Sequence, residues 1–494
     1  MSKIFRASAI IGIFFGLNKI LGLYRQYLIT KQFGLTSAID AFNVANNMPD
    51  LIFALFAGGA LAMAFIPVFA EYLDTKGANL SWRLFSSVTT ILFLVTASIS
   101  LLVGVFAPAL VSSPIGIAPG FNASQQALVV TLLRINLVAT LIFSISGLVT
   151  ASLQAHKHFL LPAIAPLFYN LGIIFGAIIL TPRFGIYGLT YGVVIGAVLH
   201  LVVQLPALHN REFHFSLAID FKDKGVKKVF KLMGPRLLTV LLIQITFLMR
   251  DNLASRLAVG SVSALTYGYF IMQVPETLIG SSIAIALLPT LSSHMSKLKK
   301  QEFIKVLTTS IRVLVAASII PVVLVFVVLS PLLKLLFDFS LPEQELLVLT
   351  TNAFMAGLLA QILLEVFVRA FYARQEAQWP LFATLIRTIV FIVLAAIFYK
   401  TTGATGIAAI DSISVTIEAI ILFTILLPFI HQKLRLAKTF GRSIIGGILA
   451  VFVANFILNY LKVPALIQVG VATVSATGIY VVFVTHEIKS LIKL

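Results

Sequence analysis

The sequence predicts an all-α polytopic membrane protein of about fourteen transmembrane helices, and three observations carry that expectation. Hydrophobic residues make up 59% of the 494 positions and charged residues 11%, with a mean hydropathy of +1.04. The apolar residues gather into runs of roughly 20, the length a helix needs to cross a bilayer. Lys and Arg concentrate on every second loop between those runs, as in a chain with one side held in the cytoplasm.

The first run, near 5–32, follows directly on the basic stretch Met1 to Arg6. It has no small-residue cleavage site, so it is expected to be a retained span and not a signal peptide. Runs near 39–71 and 80–108 follow, closed by the turn-forming stretch Pro114 to Gly120. Those near 124–153 and 158–180 meet at His156-Lys157-His158, and Pro182-Arg183 separates the second from the run near 184–205. A basic stretch, 207–232, leads into 226–257 and 261–293. The remaining runs lie near 302–335, 343–372, 377–400, 404–427, 440–461 and 465–488, with breaks at Pro342-Glu343 and Gln378-Trp379-Pro380. No loop exceeds about 25 residues, which leaves no room for a separate soluble domain.

Twenty-two Lys and Arg fall on one side, among them Lys76, Arg83, Lys157, Arg211, Lys297, Arg374, Lys433 and Arg435. Only Lys31, Arg183, Arg256, Lys400 and Lys462 fall on the other. The asymmetry predicts both termini in the cytoplasm. In a soluble chain the formal +18 would suggest nucleic acid. Here the charge lies beside apolar spans, so anionic lipid headgroups are the expected partner, and nucleic acid is not.

The sequence carries no catalytic signature: no HExxH, no P-loop and no GxSxG in a strand–turn–helix setting. The absence of cysteine removes disulfides and Cys-ligated metals. His156 and His158 make a weak metal pattern that a surface elbow explains better. A transporter without cofactor or metal is expected, driven by an ion gradient, the membrane potential or product removal. A cation-coupled antiporter of small molecules and a non-transporting scaffold remain alternatives on these residues alone.

A faint repeat divides the chain. Pro49 and Pro67 are echoed by Pro275 and Pro289, and Ala151 to Pro162 by Ala370 to Pro380, at offsets of 226, 222 and 218 residues. Two six-helix halves in the same orientation follow, 1–210 and 211–432, with helices 13 and 14 appended over 433–494. Such halves commonly enclose a cavity whose access alternates.

Ionisable side chains at membrane depth are functional candidates because each needs a partner or water. Lys19 and Arg25 lie on helix 1, Asp40 and Asp50 on helix 2, Arg250 and Asp251 on helix 7, and Glu276 on helix 8. Arg25 could instead snorkel to the headgroups. Asp40 could be a helix N-cap. Arg250 and Asp251 could form a local pair. Arg134, Lys334, Glu365, Arg387, Asp411 and Glu418 read as interhelical partners or interfacial anchors, and Asn170 as helix–helix glue. The cations suit phosphate or carboxylate groups on a substrate. Pro49, Pro275, Gly58 and Gly59 supply bends for alternating access. Glu276 and the acids Asp40 and Asp251 are candidates for gating or ion coupling.

Leu21-Gly22, Arg25 and Phe33-Gly34, with Asp40-Ala41-Phe42 and Ala64 to Val68, resemble the signature of the MurJ (MviN) lipid II flippases. So do Gly260 to Leu265, Leu288-Pro289 and Phe371 to Gln375 in the second half. The likeness runs from about residue 8 to 430 and includes the span number. It implies the multidrug/oligosaccharidyl-lipid/polysaccharide exporter fold: two lobes in a V around a cationic cavity, with helices 13 and 14 forming a groove for a polyprenyl tail. The implied substrate is lipid II, an undecaprenyl-pyrophosphate-linked disaccharide-peptide, carried from the inner to the outer leaflet of a bacterial cytoplasmic membrane. A monomer is expected, with cell-wall synthesis proteins as candidate partners at the 207–232 stretch. Arg25 and Lys19 would face the pyrophosphate, with Arg250 as a relocated cation.

The chain departs from the family pattern at several cavity positions. Lys19 stands for an Arg, Phe53-Ala54 for an Arg pair, Gly58 for an acid and Phe270 for an Arg of helix 8. Helix 11 lacks the Asn and Asp that some relatives use to hold sodium. These departures bear on which polyprenyl-linked glycan is carried more than on the fold.

Overall fold

The computed structural model describes residues 3–56, 58–209, 211, 213–217, 219–430, 436–461 and 463–491. Lys433, Arg435 and Lys462, used in the charge count, lie outside the described residues. The described residues are helical, with short connections. The helices are α1 (Lys3–Phe33), α2 (Ser37–Lys76), α3 (Ala78–Ser112), α4 (Ala123–Ala155), α5 (Leu160–Phe184), α6 (Ile186–His209) and α7 (Lys224–Ala254). They continue as α8 (Ser261–Met295), α9 (Lys300–Leu336) and α10 (Leu341–Ala373). The 53-residue segment Gln378–Ile430 turns at Gly403, whose φ of 62° suits a residue without a Cβ, into α11 (378–402) and α12 (404–430). α13 (Leu436–Tyr460) and α14 (Ala465–Leu491) complete the expected fourteen.

Local chemistry sets several of the helix starts. The Asn122 side chain accepts from the backbone N–H of Gln125, and Asp223 accepts from those of Gly225 and Val226. Ser340 and Glu343 form a capping box before α10. α2 is expected as one helix but is broken into Ser37–Ala45, Asn47–Phe56 and Gly59–Lys76. Gly58 is extended there, with φ −82° and ψ −164°. Pro49 sits in the first turn of the middle piece, where its missing N–H has no carbonyl to serve. Pro275 closes the regular part of α8, and Glu276–Ser281 continues as a wider π turn.

By contacts the chain forms two units, Met1–Val259 and Gly260–Leu494. In the first, α5 and α6 meet through glycines. A Cβ on Gly176 would approach Gly188 O and Gly192 Cα to 2.6 Å, so the backbones touch where side chains would stand. Asn170 Nδ2 donates to Asn18 Oδ1 on α1 at 2.8 Å, the interhelical role expected of it.

α7 is bonded to its neighbours in the first unit near both ends. At its start, Tyr72 donates to Asp223 at 3.0 Å and accepts from Gly225 N, and Lys228 pairs with Glu71. Near its end, Asn47 Nδ2 donates to Asp251 Oδ2 at 3.0 Å. At the end, Asn252 and Arg256 both donate to Pro114 O in the α3–α4 connection. The segment before α7 is held too. Trp82 Nε1 donates to Arg211 O at 2.8 Å, and Arg83 pairs with Asp220. Trp82 lies among Phe69, Phe85 and Phe213, with His156 stacked on its ring at a centroid distance of 5.3 Å.

The second unit contains α9, α13 and α14 packed around Ala316, Ala450, Ala454, Ala472, Ala476 and Tyr480. The Tyr480 hydroxyl donates to Ala316 O at 2.5 Å, and Thr439 donates to Glu487 at 3.1 Å.

Two outcomes follow from this packing. Gly176→Val is expected to lower stability by about 1–3 kcal/mol, the cost of forcing two touching backbones apart; a reduced unfolding midpoint in detergent checks it. Burial, first, and then the nearby Arg211 charge hold the His156 imidazole below its ordinary 6.5. A histidine depressed in this way favours the folded state at higher pH, and stability falls as pH drops below about 6.5, where the unfolded chain binds the proton more readily. Trp82 fluorescence during unfolding should show that loss in the wild type and a reduced loss in His156→Gln.

Candidate functional site

The first unit encloses a cavity of about 280 Å³ lined by parts of α2, α4, α5 and α6. Asn46, Asp50, Asn136, Thr140, Tyr169 and His200 supply its polar wall. Pro49, Phe53, Phe143 and Pro166 supply the apolar one. Phe143 is the aromatic centre, edge-on to Phe53, Tyr169 and His200 at 5.1 to 5.2 Å. His200 Nδ1 is fixed on Ser146 Oγ at 2.7 Å, and Asn136 Nδ2 donates to Asn46 Oδ1 at 2.8 Å.

Arg25 on α1 reaches towards this cavity. Its guanidinium is within electrostatic reach of Asp50 and Tyr169, yet its buried Nε has no hydrogen-bond partner. Asp50 is exposed on the cavity wall. The break in α2 puts it there, since the middle piece begins at Asn47 and carries Asp50 in its first turn. Lys19 is half-buried two turns earlier on α1.

The other expected site residues are placed differently. Arg250 and Asp251 are buried and bonded to each other, Nε to Oδ1 at 3.0 Å, with Asp251 only 1% exposed. The Arg250 guanidinium also lies over the Phe247 ring, 5.0 Å from its centroid. Asp40 is buried in the first turn of α2, but the N-cap position belongs to Thr36, so the cap reading does not hold. In the second unit, Glu276 is buried in the π turn and accepts from Ser281 Oγ at 2.9 Å and Thr277 Oγ1 at 3.1 Å. Gly58 and Gly59 mark the second break in α2, and Pro275 the entry to the π turn.

The second unit also holds an ion network across its helical hairpin. Arg387 on α11 bonds Glu418 at 3.2 Å and Asp411 at 3.4 Å, both on α12, and Thr384 donates to Glu418 at 2.7 Å. This is the interhelical pairing expected of those residues. In the same unit, α9 and α13 form a groove of about 460 Å³. Ile319, Val323, Ile444, Gly447, Ile448, Val451 and Phe452 line it, and every one is apolar.

Sequence reasoning did not single out Asn136, Tyr169 or His200, and it noted Asp50 without assigning it a role. An isolated Asn, Tyr or His in an apolar run signals a polar contact but not which cavity it faces.

Comparison with known proteins agrees with this architecture. Residues 29–481 match the family described as Lipid II flippase MurJ. The Lipid II flippase MurJ of Burkholderia cenocepacia is 28% identical over 432 residues, covering 85% of this chain and 83% of that protein. A probable lipid II flippase MurJ of Vibrio cholerae is 29% identical, covering 82% and 80%. Among solved structures, a lipid II flippase MurJ in an inward closed conformation superposes with a TM-score of 0.81 at 22% identity, covering 98% of this chain and all of that one. An inward-facing multidrug resistance MATE family transporter of the MOP superfamily gives 0.71 at 16% identity, over 84% and 94%. The match across nearly the whole chain, on a fold of fourteen membrane-length helices, shows that this chain belongs to the lipid II flippase MurJ family.

Proposed function

We propose that the chain is a lipid II flippase, moving the undecaprenyl-pyrophosphate-linked peptidoglycan precursor from the inner to the outer leaflet by alternating access. Its membership of the family supports the substrate. The single observation that carries the chemistry is Arg25, a cation within electrostatic reach of the cavity residues Asp50 and Tyr169 whose Nε has no hydrogen-bond partner. Arg presents a planar fork of donors suited to phosphate oxygens, and its attraction for them strengthens where water is sparse. Lys19 on the same helix would add a second positive charge. Arg250, already bonded to Asp251, would serve the fold unless transport opens that pair.

The tail needs a different surface. A polyprenyl chain offers only apolar contact, and the α9–α13 groove presents only apolar side chains. In this reading the headgroup moves through the polar interior while the tail stays in lipid along that groove. Six-helix lobes over 1–210 and 211–432, with the tail helices over 433–494, describe the moving parts, and the bonds that hold α7 to the first unit would open as the lobes move. The breaks at Pro49, Gly58-Gly59 and Pro275 are the hinges. Asp40, Glu276 and Asp251 are gating or coupling groups. The basic loops face the cytoplasm, with both ends of the chain on that side, against anionic lipid. The protein works as a monomer, with 207–232 open to wall-synthesis partners.

The test is complementation of a bacterium depleted of its own lipid II flippase. Wild type is expected to restore growth and cell shape. Arg25→Ala, at equal membrane abundance, is expected to fail. Failure of well-expressed wild type would remove lipid II as the substrate and favour another polyprenyl-linked glycan, and rescue by both would remove Arg25 from the site.

A further inference from the structure

The cavity of the first unit has Asp50 on its wall and Arg25 within electrostatic reach of it, opposite charges that the fold leaves apart. Some buried charges elsewhere are closed onto a partner, as in Arg250–Asp251 and in Arg387 with Asp411 and Glu418, whereas Arg312 on α9, like Arg25, has a buried Nε without a hydrogen bond. Arg25 and Asp50 feel each other's charge, but no ion pair or hydrogen bond joins them. A second observation points to something that enters. Asn136 is 1% exposed and lines the same cavity, and its Oδ1 has no partner although its Nδ2 is satisfied. A buried acceptor without a donor is costly unless a ligand or water supplies one.

We propose that Asp50 is a proton-binding counter-charge to Arg25, ionised while the cavity is empty and protonated while a phosphate occupies the guanidinium. The phosphate part of this rests on the flippase reading. Charge balance in a poorly solvated space supplies the reason. In the empty cavity the guanidinium and the carboxylate cancel at a distance. An arriving phosphate would leave a surplus of negative charge beside Asp50, and like charges drive a carboxylate to take up a proton. The step makes one O–H bond on the carboxyl, with the proton taken from water. The proton returns to water when the phosphate leaves. The phosphate thus enters with a proton, and the charge in the cavity changes by less than the charge of the ligand.

The groups facing Asp50 are few. Arg25 on α1, Tyr169 on α5 and His200 on α6 are the titratable ones, and His200 is held by Ser146. α4 contributes Asn136 and Thr140, which are neutral. α7 contributes Gln244, which donates to the Asp50 backbone carbonyl at 3.2 Å, and the closed Arg250–Asp251 pair. α3 contributes no residue to the cavity wall.

The experiment is calorimetric titration of the full-length protein in detergent with farnesyl pyrophosphate. It is run across pH in buffers of different ionisation heat, so that protons taken up on binding are counted. Wild type should take up more protons than Asp50→Asn, by as much as about one per ligand, and its affinity should rise by up to about tenfold more per unit fall in pH. Asp50→Asn should bind with the pH dependence of the ligand alone, Asp50→Ser should behave alike, and His200→Gln should keep the wild-type proton count. Equal proton uptake by wild type and both Asp50 variants would overturn the proposal while leaving Arg25 as the phosphate site. If His200→Gln alone lost the extra proton, the proposal would also fall, with His200 as the acceptor. No binding by wild type at any pH would overturn the phosphate reading of Arg25 and the proposal with it.

Discussion

A charge at membrane depth must find an opposite charge, a set of hydrogen bonds or water, and that constraint organises this protein. The hydrocarbon cannot solvate it, so the alternatives cost several kcal/mol. Arg387 answers by bridging to Asp411 and Glu418 across a helical hairpin. Asp251 answers with Arg250 beside it and Asn47 across the interface to α2. Glu276 answers with the hydroxyls of Thr277 and Ser281, which the π turn brings within reach. The Arg387 network and the Asn47–Asp251 bond join helices, while the bonds from Thr277 and Ser281 to Glu276 lie within α8. Arg25 and Asp50, within electrostatic reach of each other but joined by no bond, are where we propose that the same constraint turns into function.

In the proposed function, the apolar and polar requirements of the substrate fall on separate surfaces. The groove between α9 and α13 contains nothing that needs solvation. Two of the polar groups of the first unit's cavity, Asn46 and Asp50, lie on the broken helix α2. Asp50 reaches the cavity wall because α2 is interrupted at Asn46, and the interruption leaves the Asn46 side chain to bond Phe42 O and Asn136. An unbroken α2 would turn Asp50 to a different azimuth, so the break and the site are one feature.

Span number and span limits were legible because they depend on composition along the chain. The expected run 124–153 is the helix Ala123–Ala155, and 465–488 is Ala465–Leu491. The breaks in α2 were legible only as Pro49 and Gly58-Gly59, and the first of them falls at Asn46, where no proline or glycine announces it. Partners were less legible than residues. Arg250 and Asp251 stand out in any reading, but the bond from Asn47, 204 positions away, depends on how α7 is rotated against α2. Whether Arg25 is paired or open is decided by the same rotation, which periodicity in an all-apolar helix does not encode.

The most direct measurement of the central claim uses purified protein in sealed liposomes carrying fluorescent lipid II in one leaflet. Label becoming accessible on the other side is then followed without ATP, alongside a second polyprenyl-linked glycan. The account predicts lipid II translocation that requires the protein and exceeds that of the competing lipid. Folded protein that leaves lipid II in place while moving the other glycan, or neither, would contradict it.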